Sequence, residues 1–250
     1  MYRMRTIVVG DVHGCLDEFR ELLNLLSFSE ESDRLVQVGD LMDRGPDPIE
    51  CVRYARKIGA VVIMGNHEEK HVRWRRHEVK RILTGKKNPM KPFSLKRAAQ
   101  NADLTEEEIE WMSKLPLTYK LESGFVVVHG GLEPAFSVDG QSDAVLRVRY
   151  VDEEGKKVGY ARGSMKQPEN TVYWAEKWGG PESIIYGHAR HSLTPRVDKF
   201  EEGCCYGIDT GCVFGGRLTA MILTSDGDPE FVQVHARKAY FDSTHCDGDE

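Results

Sequence analysis

The sequence lacks long hydrophobic runs. No apolar run approaches the roughly 18 residues that a membrane-spanning helix requires, and the first ten residues, MYRMRTIVVG, lead directly into the polar GDVHG. A hydrophobic content of 40% with 30% charged residues is typical of a soluble globular domain. We therefore expect neither a membrane protein nor a secretory signal peptide, and we expect a cytoplasmic location.

Closely spaced cysteine pairs and internal repeats are also missing. The six cysteines include no CxxC pair, and in a chain of 250 residues they do not form a disulfide framework. We expect most of them to be reduced and buried. The length favours a single domain, which we place at 1–241. The remaining residues, 242–250, are polar and are expected to be a disordered tail.

Positive charge is concentrated in one segment, although the whole chain carries a net charge of -6. Between Lys70 and Arg97 there are eleven Lys or Arg residues and a single acid, Glu78, so the segment carries about +10. Such a segment is commonly the solvated face of a helix. The alternative is an anion-attracting wall beside a site, in which Arg73 and Arg76 would contact the substrate.

Short β-rich runs alternate with amphipathic helices at the start of the chain. The runs lie at 6–10, 34–39 and 60–65, and each ends in glycine followed by polar residues. Between them, apolar residues recur at helical spacing from Leu16 to Leu26, and again from Ile49 to Ile58 after the helix-starting Pro48. This alternation predicts an α/β fold with a largely parallel sheet.

The middle of the chain has a different pattern. Residues 66 to about 83 look helical but poorly amphipathic, and GKKNPMKP at 85–92 interrupts the helix. Another helix is predicted from Thr105, with a capping box to Glu108. We therefore expect a helical insert at about 66–115. Further strands are predicted after it, at 125–131, 183–188, 204–209 and 217–223.

Polar residues collect where the predicted strands end. The clusters are GDVHG (10–14), GDLMDRG (39–45), GNHEE (65–69), VHGG (128–131) and YGH (186–188). In open α/β sheets, ligands bind at the carboxyl ends of the strands. Any one of these residues has an ordinary structural explanation, such as an Asp that caps a helix. Five clusters in equivalent places instead indicate a common site.

The donors in these clusters predict a metal site. Asp11 and His13 lie two residues apart and can converge on one ion, whereas Asp40 has two oxygens with which to bridge two ions. The complete set of expected ligands is Asp11, His13, Asp40, Asn66, His129 and His188. Mixed Asp, Asn and His ligands suit borderline divalent metals better than Ca. We expect two divalent ions, with Mn as the first choice and Fe, Zn, Co or Mg as alternatives.

In order and spacing, the motifs GDxHG, GDxxDRG, GNHE, HGG and GH resemble those of calcineurin-like metallophosphoesterases of the phosphoprotein-phosphatase type. The resemblance extends from residue 6 to about 223 and implies a β-sandwich of mixed sheets flanked by helices. It also implies a dinuclear site. Asp11, His13 and Asp40 would hold one ion, while Asp40, Asn66, His129 and His188 would hold the other. Many wider members have a histidine where this chain has Arg190.

The resemblance further implies catalytic roles. His67 is the candidate general acid, and Asp43 would orient its imidazole and raise its pKa. Arg44 would bind phosphate oxygens, because a guanidinium fork matches their geometry. A second phosphate-binding arginine is expected between the HGG and GH motifs. Arg147 and Arg149 both fit, and we favour Arg149.

The remaining motifs resemble two branches of the family. GDLMDRGPDP, LRVRY, WAEKWGGPESIIYGHAR and especially GIDTGCVFGGRLTAMIL are similar to the diadenosine tetraphosphatase branch. Small bacterial and phage serine/threonine phosphatases carry a related IDTG segment, and the DRG form is common in protein phosphatases. We expect dinucleoside polyphosphates as substrates. The alternatives are phosphoproteins, small phosphomonoesters or RNA ends.

An alternative from another class is a non-catalytic module that binds anions or RNA. Such a module should have lost metal ligands, whereas none of the expected ones is missing from this chain. Tight RNA binding without turnover in any divalent metal would support it.

Overall fold

The computed structural model describes residues 4–159, 166–224 and 228–242. The helices are α1 (Leu16–Leu25), α2 (Pro48–Lys57), α3 (Asn66–Thr84), α4 (Leu95–Asp103), α5 (Glu106–Ser113) and α6 (Trp174–Lys177). The strands are β1 (Arg5–Val9), β2 (Asp33–Gln37), β3 (Val61–Val62), β4 (Thr118–Lys120), β5 (Val126–Val128), β6 (Tyr150–Val151), β7 (Lys157–Val158), β8 (Val172–Tyr173), β9 (Ile184–Tyr186), β10 (Arg196–Lys199), β11 (Cys204–Gly207), β12 (Arg217–Leu223) and β13 (Glu230–His235). Apart from its first residue, the expected tail falls outside the described residues.

The strands form two large sheets and one small sheet. The first sheet has the order β13-β12-β1-β2-β3 and the second the order β10-β11-β9-β5-β4, while β7-β6-β8 form a three-stranded sheet. β1, β2 and β3 are parallel to one another, and β12 joins β1 in antiparallel orientation. In the second sheet, β5 and β11 both run parallel to β9. Its edge strands β10 and β4 are antiparallel to β11 and β5. Both large sheets are therefore mixed, which confirms the expected fold.

The residues of β1 show how the layers pack. Ile7 and Val9 point to one face and join the core cluster formed with α1 and α2. Val8 points to the opposite face and packs in a cluster with Val127 and Ile185 of the second sheet. Because the side chains of a strand alternate between its two faces, β1 is covered by helices on one side and by the second sheet on the other. The two large sheets thus form the expected sandwich.

The local signals for the helices are confirmed. On α1 the apolar stripe is buried, with Phe19 and Leu22 both 0% exposed, and α2 has its proline at the first helical position. The capping box of α5 is complete, because the Thr105 hydroxyl accepts from the Glu108 N–H at 3.2 Å and the Glu108 carboxylate accepts from the Thr105 N–H at 2.8 Å. No helix within the described residues is both long and apolar enough to cross a membrane.

Six of the described strands were not expected from the sequence. Three of them, β6, β7 and β8, form the small sheet, and the other three, β4, β10 and β13, each lie at the edge of one of the two large sheets. An edge strand is paired on one side only and often carries charged residues, as in the RVDK of β10. Its alternation of apolar and polar residues is therefore weak. The segment 139–170, in which we expected turns, also contains the short strands β6 and β7 within its described part.

Candidate dinuclear metal site

The expected ligands lie just beyond the ends of strands of both sheets. Asp11 follows β1, Asp40 follows β2 and Asn66 follows β3, all in the first sheet. His129 follows β5 and His188 follows β9, which are neighbours in the second sheet. Since the strands are parallel within each set, their carboxyl ends open at a shared edge. The structure brings these side chains together there.

Asp40 lies at the centre of the cluster. Its Oδ2 is 3.3 Å from His13 Nε2, and its Oδ1 is 3.4 Å from His129 Nε2. Asp40 is shared by two groups of donors whose ligand atoms all lie within 4.8 Å of one another, one with His13 and His67 and the other with His129 and His188. A carboxylate between two groups of donors is placed to face two cations.

Asp11 is held by the backbone of the YGH motif. Both of its carboxylate oxygens accept from the His188 N–H at 3.1 Å. The approach is possible only because residue 187 is glycine, since a Cβ on Gly187 would lie 2.0 Å from Asp11 Oδ1. The glycine of this motif therefore makes room for a carboxylate from another sheet.

The imidazoles are oriented in the way that metal ligands require. His13 Nδ1 lies 2.9 Å from the Met42 carbonyl and His129 Nδ1 lies 2.9 Å from the Val38 carbonyl. A carbonyl can only accept, so each Nδ1 carries the hydrogen and each Nε2 is left as the ligating atom. His188 Nε2 is buried and has no hydrogen-bond partner among the described residues. This donor set and its orientation fit divalent cations.

The turns that carry these residues are strained. Seven non-glycine residues within the described ranges have positive φ, and five of them belong to the site: His13, Asp40, Asp43, Arg44 and His188. Residues other than glycine rarely adopt this left-handed backbone conformation, which costs on the order of 1–3 kcal/mol per residue. The strain is concentrated where the chain turns sharply at a strand end and aims a polar side chain at the site.

The charges of the cluster favour cations. Burial opposes ionisation of Asp40, but His129, His67 and His13 together outweigh it and hold the pKa of Asp40 well below its usual value. Burial lowers the pKa of His129, yet Asp40 more than offsets this effect and raises that pKa to about 9. The pKa of Asp11 is raised by burial and by the nearby Asp209. The buried carboxylates of the cluster therefore create a negative potential that attracts cations.

Two acidic residues near the cluster were missed by sequence reasoning. Glu68 is fully buried, and its carboxylate accepts from the N–H groups of Asp40 and Met42 at 2.8 and 2.9 Å. It thereby fixes the loop that presents Asp40, and burial raises its pKa to about 7. The sequence does contain a signal for this role, because Glu68 lies three residues after Gly65, which is the spacing of a capping box. Asp209, in the GIDTG segment, has a pKa raised by burial and accepts from the Gly211 N–H at 2.9 Å.

The expected contact between His67 and Asp43 is present. His67 Nδ1 lies 2.5 Å from Asp43 Oδ2, and both residues are buried. Asp43 raises the pKa of His67, as expected, but its effect is not the largest one. Burial, assisted by Arg44, outweighs the two nearby carboxylates and places this pKa below its ordinary value.

Three of the expected arginines lie beside three different ligands. Arg44 Nη1 is 2.6 Å from His13 Nε2. Arg149, which is 8% exposed, donates to the His188 carbonyl at 3.4 Å. Arg147 Nη2 is 3.4 Å from the Asn66 carbonyl. The structure thus places both Arg147 and Arg149 beside expected ligands.

The basic segment is divided between ion pairs and exposed charge. Arg73 lies 2.8 Å from one oxygen of Glu69, and Arg147 lies 2.8 Å from the other, so this carboxylate connects α3 to the site. Arg76 is exposed on α3. Arg75 pairs with Glu106, and Arg97 is buried in an ion pair.

Comparison with known proteins identifies the family. Residues 4–213 match the model of the calcineurin-like phosphoesterases. A symmetrical bis(5'-nucleosyl)-tetraphosphatase of Aromatoleum aromaticum is 29% identical, over 94% of this chain and 98% of the relative. The asymmetrical bis(5'-nucleosyl)-tetraphosphatase PrpE of Oceanobacillus iheyensis is also 29% identical, over 95% and 94%.

Solved structures agree with this assignment. The crystal structure of a candidate diadenosine tetraphosphatase has a TM-score of 0.73 and 27% identity, over 93% of this chain and 94% of that chain. A serine/threonine phosphatase of Saccharomyces cerevisiae shares the fold, with a TM-score of 0.56, 11% identity and coverage of 94% and 81%. With most of its length matched and its ligand set assembled, the chain belongs to the calcineurin-like phosphoesterase family and is a metal-dependent phosphoesterase.

Proposed function

We propose that the protein hydrolyses dinucleoside polyphosphates such as diadenosine tetraphosphate. The observation that carries this proposal is the set of three arginines, Arg44, Arg147 and Arg149, each beside a different residue of the metal-binding cluster. Guanidinium groups around a cationic centre suit a substrate with several phosphates in a row. The relatives that are named as tetraphosphatases support the same substrate class.

The proposed ligands for one ion are Asp11, His13 and Asp40, and those for the other are Asp40, Asn66, His129 and His188. Mn is the proposed metal, with Fe, Zn, Co or Mg as alternatives. When bound, two such ions lower the pKa of a water molecule and neutralise charge on the phosphoryl group. The buried, unpartnered Nε2 of His188 and the shared position of Asp40 support this assignment.

The roles proposed for the side chains follow from their positions. Arg44 and Arg149 bind non-bridging oxygens of the phosphate that is attacked. His67 is fixed at Nδ1 by Asp43, so its Nε2 is directed towards Asp40, 3.9 Å away. In its doubly protonated form, His67 donates the proton on Nε2 to the departing oxygen. A nucleotide phosphate is a good leaving group and needs this proton less than an alkoxide does.

The phosphates that are not cleaved are proposed to contact Arg73, Arg76 and Arg147. Glu69 holds Arg73 and Arg147 on either side of one carboxylate, which joins the basic segment to the site. Arg76 is exposed and can reach a long anion. A phosphomonoester has no further phosphates for these residues to contact.

A second candidate function is the hydrolysis of phosphomonoesters, including phosphoserine in proteins. The observation in its favour is the short contact between His67 and Asp43, since an alkoxide leaving group requires a proton donor. This arrangement suits the more demanding reaction and does not exclude the easier one.

The experiment that separates the two functions is a product-resolved substrate panel. The wild type and Asp40→Asn, as a matched inactive control, are assayed with diadenosine tetraphosphate, a phosphoserine peptide, p-nitrophenyl phosphate and triphosphate-ended RNA. Each substrate is tested with Mn, Co, Zn or Mg. We expect kcat/KM to be highest for diadenosine tetraphosphate. Two ADP indicate symmetrical cleavage, whereas ATP and AMP indicate asymmetrical cleavage. A higher kcat/KM for the peptide or the RNA would overturn the proposal.

A further inference from the structure

The carboxylate of Asp43 is contacted by more than its expected partner. His67 Nδ1 approaches Oδ2 at 2.5 Å, and His71 Nε2 approaches Oδ1 at 3.1 Å. His71 Nδ1 accepts from the amide of Asn101, which leaves Nε2 as the donor towards Asp43. His67 and His71 are one turn apart on α3, so the same face of this helix supplies both contacts.

Arg97 supplies the third contact. Its Nε lies 3.0 and 3.1 Å from the two oxygens of Asp43, and its Nη2 lies 2.8 Å from Oδ2. Arg97 is 7% exposed and lies in the first turn of α4, where its N–H donates to the capping hydroxyl of Ser94 at 3.3 Å. The neighbouring Lys96 donates to the carbonyl of Arg44 at 3.1 Å. The first turn of α4 therefore binds the side chain of Asp43 and the backbone carbonyl of Arg44, both in the DRG motif.

This arrangement fixes the plane of the Asp43 carboxylate. Asp43 lies in a strained turn with a φ of 68°, and a lone carboxylate there could rotate about its terminal bond. The fork of Arg97 holds both oxygens, and only one rotation satisfies it. That rotation directs Oδ2 at His67 Nδ1, which in turn sets the direction of His67 Nε2.

We propose that Arg97 is a positioning residue that acts through Asp43 on His67, so that the helical insert completes the active site. The role assigned to His67 rests on the proposed function, but the contacts to Asp43 do not. Arg53 provides a contrast. It joins α2 to Glu108 of α5 in the insert at 2.7 Å, and its other side-chain bond among the described residues is to Glu50, so it holds the insert in place without contacting Asp43 or the partners of Asp43.

The test compares Arg97→Gln, Arg97→Lys and the matched control Arg53→Gln. Each is assayed with Mn on p-nitrophenyl phosphate and on phenyl phosphate, whose leaving group is poorer, and the Tm of each is measured. We expect Arg97→Gln to lower kcat about 10- to 100-fold, the usual range for a supporting residue, with little change in KM. The loss should be larger for phenyl phosphate, because that leaving group depends more on His67. Arg53→Gln should lower the Tm, because it leaves the buried Glu108 without its partner, and should leave kcat unchanged.

A double-mutant cycle adds a second criterion. If Arg97 acts through Asp43, then Asp43→Asn combined with Arg97→Gln should lose no more kcat than Asp43→Asn alone. Additive losses would overturn the proposal, as would an equal loss on both leaving groups. Should Arg97→Gln fail to fold, Arg97→Lys decides, since it keeps the buried charge and loses the fork. Wild-type kcat in Arg97→Lys would overturn the proposal.

The choice of substrates keeps this test separate from the proposed function. Neither phenyl phosphate nor p-nitrophenyl phosphate has a phosphoanhydride bond. Failure to cleave diadenosine tetraphosphate would therefore overturn the substrate assignment and leave the proposed positioning role of Arg97 unaffected.

Discussion

Replacing Gly187 with alanine should disable metal binding at Asp11. Gly187 lies between β9 and His188 and does not have the positive φ that would itself disfavour alanine. The effect of the substitution therefore depends only on whether the added methyl group has room. A Cβ at this position would lie 2.0 Å from Asp11 Oδ1 and 2.6 Å from Val38 Cγ2.

The magnitude follows from the displacement that the methyl group imposes. Real Cβ contacts shorter than 3.0 Å are essentially absent from proteins, so the carboxylate must retreat from 2.0 to at least 3.0 Å. A misplacement of about 1 Å at a catalytic centre costs roughly 100-fold. At about 1.4 kcal/mol for each factor of ten, this amounts to about 2.7 kcal/mol. The same movement disturbs the hydrogen bonds from the His188 N–H to Asp11.

The assay is a Mn titration of protein that has been stripped with a chelator. Calorimetry should show that the site containing Asp11 binds Mn more weakly, and kcat on p-nitrophenyl phosphate should fall about 100-fold. Gly179→Ala is the matched control, because a Cβ on Gly179 would meet nothing within 4 Å. If Gly187→Ala bound two Mn ions with wild-type affinity, the assignment of Asp11 as a ligand would be refuted.

Three further predictions concern other parts of the chain. Chelation should abolish activity, and Mn or Co should restore it. Asp40→Asn should lose more activity than His13→Ala, because Asp40 serves both ions. Equal activity of Asp40→Asn and wild type would contradict a dinuclear site. Converting Arg73 and Arg76 to Gln should raise KM for diadenosine tetraphosphate a few-fold, since exposed charge pairs contribute about 0.2–1 kcal/mol. This increase in KM should shrink above roughly 0.1 M salt, where charges are screened beyond about 10 Å. An equal increase in KM for p-nitrophenyl phosphate would contradict a role in binding distant phosphates. Phe19→Ala should cost about 3–5 kcal/mol of unfolding free energy in a denaturant titration, because Phe19 is 0% exposed; a loss below about 1 kcal/mol would contradict its place in the core.

The parts of the fold that were predictable are those with local signals. Buried parallel strands leave apolar runs that end in glycine, and α5 is marked at its start by a capping box. The strand-end motifs identified residues that the structure brings together, because parallel strands open at one edge. Asp11 and His188 are 177 positions apart, yet each follows a recognisable strand.

The parts that were not predictable depend on contacts between distant segments without a motif. Arg97 is 54 positions from Asp43 and lies in a run of basic residues, where its charge resembles that of its exposed neighbours. Only the packing of α4 against the DRG loop distinguishes it. The net lowering of the His67 pKa was not predictable for a related reason. Asp43 raises this pKa, as the motif indicates, but burial outweighs Asp43, and a motif carries no information about burial.

The distribution of the proposed ligands over two sheets has a thermodynamic consequence. Asp11, Asp40 and Asn66 follow strands of the first sheet, while His129 and His188 follow strands of the second. A cation bound by both sets links the two halves of the sandwich, and binding to the folded state alone adds stability through mass action. At a free metal concentration 100 times the dissociation constant, this linkage contributes about 2.7 kcal/mol for each site. We therefore expect metal supply to affect the thermodynamic stability of the folded chain as well as its turnover.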